Sequence, residues 1–100
     1  MPAHAMKLVT IICEALARDA VTRLLRDVGA HGWTSFVVEG CGAKGERSGE
    51  MAEFGNVQVD VIVPAAVCDQ LMERLERECF PKYGMVAYDA DIRVRRPGKF

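Results

Sequence analysis

The chain has no long apolar run: stretches such as Leu8 to Cys13 are far too short to span a bilayer. It has no excess of charge of either sign. Thirteen Lys and Arg stand against fourteen Asp and Glu, which argues against the broad basic footprint of a nucleic-acid binder. Residues 1–5 have no charged n-region and no long h-region, so no secretory signal is expected. They read as a short leader, and Met6 would also serve as a start. Cys13, Cys41, Cys68 and Cys79 form no C-x-x-C pair and no zinc spacing, which favours reduced thiols in a cytosolic protein. No Ser-His-Asp or Cys-His set can be assembled, with His4 in the leader and His31 in a turn, so no enzyme is expected. One hundred residues make a single domain, 1–100, whose small core favours an oligomer.

What the chain does contain alternates between strand and helix patterns. Met6 to Cys13 reads as a strand apolar on both faces. Ala17, Val21, Leu24, Leu25 and Val28 form one helical stripe, and Gly29 is a natural residue to end it. A strand follows from Trp33 to Val38. Val57, Val59, Val61 and Val63 then alternate with Gln58, Asp60 and Ile62, the period of a half-buried strand. Pro64 suits the first position of a second helix, whose stripe runs through Val67, Cys68, Leu71, Met72, Leu75 and Cys79. The last strand alternates Val86, Tyr88, Ala90, Ile92 and Val94 with Ala87, Asp89, Asp91, Arg93 and Arg95.

The order βαββαβ predicts an α+β, ferredoxin-like fold: a four-stranded antiparallel sheet with two helices on one face. The uncovered face is expected to carry Gln58, Asp60, Asp89, Asp91, Arg93 and Arg95. These are too many charges to bury unpaired, so that face is either solvated or meets other subunits through polar pairs.

Fold alone does not choose a function. A metallochaperone would need paired cysteines in the first loop, where Cys13-Glu14-Ala15-Leu16 supplies one. An RNA-recognition domain would need stacking aromatics on central strands that hold aliphatics and acids here. An acylphosphatase would need an Arg in the first loop and an Asn on the following strands, and neither pattern fits.

An anion site remains. Gly40-Cys41-Gly42-Ala43-Lys44-Gly45-Glu46-Arg47-Ser48-Gly49 offers a glycine-rich backbone with two cations. The bland alternative is a flexible connection, although the loop is far longer than a hairpin needs. Arg93 and Arg95 lie on one side of a strand and can grip one phosphate chain with two guanidinium forks. The alternative there is a solvated basic end paired with Asp89 and Asp91.

Four segments carry a resemblance: Met6-Lys7-Leu8-Val9-Thr10-Ile11-Ile12, Gly29-Ala30-His31-Gly32-Trp33-Thr34, Gly40-Cys41-Gly42-Ala43-Lys44-Gly45 and Arg93-Val94-Arg95. Along nearly all its length the chain resembles the PII signalling superfamily. The resemblance implies a homotrimer that binds adenine nucleotide in clefts between subunits and contacts partners through a long T-loop, here residues 39–56, with residues 96–100 a C-terminal tail. Gly32, Trp33 and Thr34 would border the adenine or ribose, with Asp60 and Ile62 nearby. Gly40, Cys41 and Gly42 would cradle phosphate, and Arg93 and Arg95 would reach it from the neighbouring subunit.

The departures from the nitrogen-regulatory pattern narrow the resemblance. No Tyr occurs between Gly40 and Val57, Lys44 stands where a Gln is expected, and Phe80-Pro81-Lys82-Tyr83-Gly84-Met85 replaces a longer phosphate-binding segment. The chain is thus similar to the PII-like proteins of inorganic-carbon handling, especially the carboxysome-associated type, which are linked to AMP or ADP and to bicarbonate. Lys44, Gly45 and Arg47 are the expected bicarbonate contacts. The implied location is cytoplasmic, in or near the carboxysome, with no resident metal or cofactor and no nucleic-acid partner. Two other readings stand beside it: a regulator of a bicarbonate transporter, with a membrane partner, and a CutA-like trimer that holds metal through Cys13, Cys41 or His31.

Overall fold

The strand patterns become one antiparallel sheet in the computed structural model, which describes residues 3–40 and 55–100. The strands are β1 (His4–Glu14), β2 (Thr34–Val38), β3 (Asn56–Val63) and β4 (Met85–Val94), in the spatial order β2-β3-β1-β4. A strand apolar on both faces belongs at the centre, and β1 lies there between β3 and β4. It begins two residues before the apolar run: His4 and Ala5, expected in the leader, pair with Val94 and Arg93. Helices α1 (Arg18–Asp27) and α2 (Ala65–Arg74) follow β1 and β3. The fold is ferredoxin-like, as expected.

Each helix is built by local signals. The amides of Gly29 and Ala30 bond the carbonyls of Arg26 and Leu25, a paired cap that needs Gly29 at φ +86°. Pro64 stands one residue earlier than expected, as the N-cap of α2, where its carbonyl takes the Cys68 amide. Past Arg74 the helix widens into a single π turn, Leu75–Cys79, closed by the Phe80 amide on the Leu75 carbonyl. The widened turn still buries Leu75 and Cys79.

The core lies between the helices and one face of the sheet. Val9, Ile11 and Cys13 of β1 and the four valines of β3 meet Val21, Leu24 and Leu25 of α1 and Cys68 and Leu71 of α2. No helix among the described residues is long and apolar enough to cross a membrane.

The register corrects the expected makeup of the uncovered face. Asp89 pairs with Val9, Asp91 with Lys7 and Arg93 with Ala5. Directly paired residues share a face, so these charges lie on the helix side of the sheet. Asp89, Asp91 and Arg93 stay exposed there because β4 is an edge strand. The uncovered face keeps Gln58 and Asp60, as expected, and otherwise carries Leu8, Ile12, Phe36, Ile62, Val86 and Ile92, crossed by a polar row. That row, Thr34, Asp60, Thr10 and Tyr88, spans all four strands in register. Phe36, Val86 and Tyr88 are 44%, 56% and 53% exposed, so this face is mainly apolar and open.

Candidate functional site

Asp60 sits at the middle of the polar row. Its Oδ1 accepts hydrogen bonds from the Thr10 hydroxyl at 3.0 Å and the Gln58 amide at 3.1 Å. Thr10 is only 4% exposed and is the one buried polar residue among those described. Thr34 lies opposite Asp60 on β2, and Ile62 follows two residues along β3, opposite Leu8. Just before β2, Trp33 packs against the core, and the Arg26 guanidinium lies 5.4 Å from its ring centre. Gly32, beside it, is exposed. The structure thus brings Gly32, Trp33, Thr34, Asp60 and Ile62 to one half of the sheet.

Gly40 follows β2 at the end of the sheet where Val38 pairs with Asn56 and Asn56 with Glu14. Gly55 re-enters the described chain at φ +73°, and its carbonyl takes the Ala15 amide. The Glu14 carboxylate accepts the Gly84 amide at 2.7 Å, tying the start of β4 to the same end. Cys41, Gly42, Lys44, Gly45 and Arg47 lie outside the described residues.

Arg93 and Arg95 stand elsewhere. Arg93 lies opposite Ala5 on the far edge strand, while the loop base adjoins Glu14. Nine residue steps along β1 span roughly 30 Å, and two strands also intervene. One chain therefore cannot close these arginines on its own loop base. The expected alternative partners are not engaged either: Asp91 is taken by Lys7, and no described carboxylate pairs with Arg93 or Arg95. The two arginines line an open depression with Ala5, Asp91 and Ile92.

Two features lie outside the expected site. A hollow of about 200 Å³ runs between α1 and the π turn. Arg74 crosses it, bonded to Glu78 at 2.7 Å and Asp27 at 3.4 Å. The hydrogen bonds from Arg74 and Arg77 hold the Glu78 carboxyl down at about 2. The thiols form the second feature. Burial pushes Cys13 up to about 11 and raises Cys68 and Cys79, so all three stay protonated in the core. A buried neutral thiol is a poor metal ligand, which weighs against Cys13 in the CutA-like reading. Neither Thr10 nor Gln58 is among the expected site residues, although Gln58 lies on the uncovered face as expected. The signal was present in Thr10, a lone hydroxyl inside an apolar strand.

The model of the nitrogen regulatory protein P-II family matches residues 6–99. The chain belongs to the P-II family. It is similar in structure to a PII-like signaling protein from Thermus thermophilus, at 33% identity and a TM-score of 0.84, over 100% of this chain and 99% of that one. CPII, a nitrogen regulatory PII-like protein from Thiomonas intermedia, is similar in two states. Bound to ADP and bicarbonate it matches at 27% identity and a TM-score of 0.86, over 99% of this chain and 97% of that one. Bound to ADP, AMP and bicarbonate it matches at 26% identity and 0.87, over 99% and 96%. No curated protein matches the chain. The P-II assignment accords with the resemblance read from the four segments.

Proposed function

We propose that this P-II family member is a non-enzymatic sensor. It binds ADP or AMP between the subunits of a homotrimer, takes bicarbonate beside the nucleotide, and signals inorganic-carbon status through residues 39–56. The observation that carries the reading is the divided site. Gly32 to Thr34, Asp60 and Ile62 lie on one half of the sheet, while Arg93 and Arg95 stand on the opposite edge with no carboxylate partner among the described residues. A second copy of the chain would bring its arginines to the first copy's loop base. CPII supports the ligands: it has been seen with ADP, AMP and bicarbonate bound.

In this reading Gly40, Cys41 and Gly42 cradle phosphate, and Lys44, Gly45 and Arg47 hold bicarbonate. A ligand that prefers one loop state shifts the loop population by its differential affinity. Ordering a loop costs about 1–2 kcal/mol per residue fixed. One small anion cannot offset that over the whole segment, so bicarbonate binds well only once nucleotide has fixed the base. By linkage, each ligand tightens the other by the same factor. The protein acts in the cytoplasm, with carboxysome association and a protein partner as further parts of the proposal.

Calorimetric titration of AMP, ADP, ATP and cyclic AMP, with bicarbonate or chloride at constant pH and ionic strength, tests it. ADP or AMP should bind, and more tightly with bicarbonate than with chloride. Equal affinity in the two salts removes the carbon-sensing half, and no adenylate binding removes the whole.

A further inference from the structure

We infer that the hollow between α1 and the π turn is a binding site for a compact dianion of the phosphate kind, held between Arg23 and Lys82 with Arg74 behind it. Arg23 and Asp27 stand one turn apart on α1, while Arg74, Glu78 and Lys82 line the facing wall. The two carboxylates are already engaged. Glu78 takes Arg74 at 2.7 Å and Arg77 at 3.1 Å, and Asp27 takes Arg74 at 3.4 Å. Arg23 and Lys82 are exposed and have no carboxylate partner among the described residues. The rim therefore carries a surplus of positive charge, one cation on each wall.

Arg74 is the fixed element. Its Nε and Nη2 donate to the two oxygens of Glu78, a fork-to-fork pair that orients the guanidinium plane. The Asp27 contact is long and comes from a half-exposed carboxylate, so it is weak. An incoming oxyanion can displace Asp27 and leave Glu78 in place. Buried Leu24 closes the bottom, and an apolar floor strengthens the attraction between charges above it. About 200 Å³ is below the roughly 300 Å³ at which pockets for drug-sized ligands begin, which makes the occupant small. π turns interrupt helices frequently at functional sites, and this one ends at the hollow.

Residue-resolved NMR of the backbone amides tests the site. Inorganic phosphate is added at a pH where it is mainly doubly charged, against chloride at equal ionic strength. Amides around Arg23, Asp27 and Lys82 should shift saturably, and sulfate should compete. Arg23→Gln and Lys82→Gln, both at exposed positions, should each weaken phosphate there by about tenfold, the loss of one charge-assisted bond. Asp27→Asn frees Arg74 of its weaker partner and should tighten phosphate several-fold. Asp19→Asn makes the same change in net charge on the same helix outside the hollow, and should leave the affinity unchanged. A diffuse basic surface would respond to both Asp variants alike. Shifts that do not saturate, affinity unmoved by Arg23→Gln and Lys82→Gln, or equal effects of the two Asp variants each overturn the site. None of these results depends on nucleotide binding, because the shifts are read at the hollow alone.

Discussion

Arg93 and Arg95 are two guanidinium groups held on an edge strand with no carboxylate among the described residues to neutralise them. If they grip phosphate from a neighbouring subunit, removing one deletes a charge-assisted bond of roughly 1.5–3 kcal/mol. Arg93→Ala or Arg95→Ala should then weaken ADP by about tenfold to a hundredfold, with the trimer retained. Unchanged calorimetric affinity in both variants takes them out of the site.

Glu78 shows the opposite case, a charge fully engaged. Its folded-state value, about 2, lies below the ordinary carboxylate value, chiefly through its hydrogen bond from Arg74. Its contribution is therefore present above the unfolded value and lost as pH falls through about 2. The thermal midpoint of wild type should exceed that of Glu78→Gln above about pH 4.5. The gap should close as pH approaches 2, where wild type carries a protonated, neutral carboxyl. It should be small throughout, since the pair faces water. A gap that does not change between pH 5 and pH 2 rules out the ion pair as its source.

At the scale of the element, α1 depends on how it stops. Gly29 holds φ +86° while its amide and that of Ala30 close the last turn. A Cβ there meets nothing within 4 Å, so the cost of Gly29→Ala is conformational rather than a clash. It should lower unfolding free energy by about 1–2 kcal/mol, read from the denaturant midpoint at unchanged slope. A neutral result would mean that the chain leaves α1 by another route. The π turn after α2 is a second local device. One extra residue in the turn sets Cys79 into the core and carries the chain to Tyr83, which packs against the same core just before β4.

For the whole molecule the open sheet face decides. Its exposed Phe36, Val86 and Tyr88, beside Leu8, Ile12 and Ile62, form the surface that a closed cyclic assembly would cover. Burial there is worth roughly 25 cal/mol per Å², so assembly should be driven by apolar contact rather than by pairs of charges. Light scattering coupled to size exclusion should give three times the 11.0 kDa chain mass. The double variant Phe36→Glu, Val86→Glu should shift the mass to that of one chain and abolish ADP binding, because the site needs both copies. A wild-type monomer at micromolar concentration would sink the trimer and the shared site together.

The sequence by itself determined the elements, because their signals are local: the valine alternation of β3, the stripe and terminal glycine of α1, the doubly apolar run of β1. The four segments also carried the family, and with it the candidate residues. Which face the β4 charges occupy was not legible, since period-two alternation is the same for either face and only the pairing of Asp91 with Lys7 chooses between them. Nor could the sequence join Thr10 to Asp60, fifty residues apart, or part Arg93 from the loop base. Those are distances through space, decided when β1 took its place between β3 and β4.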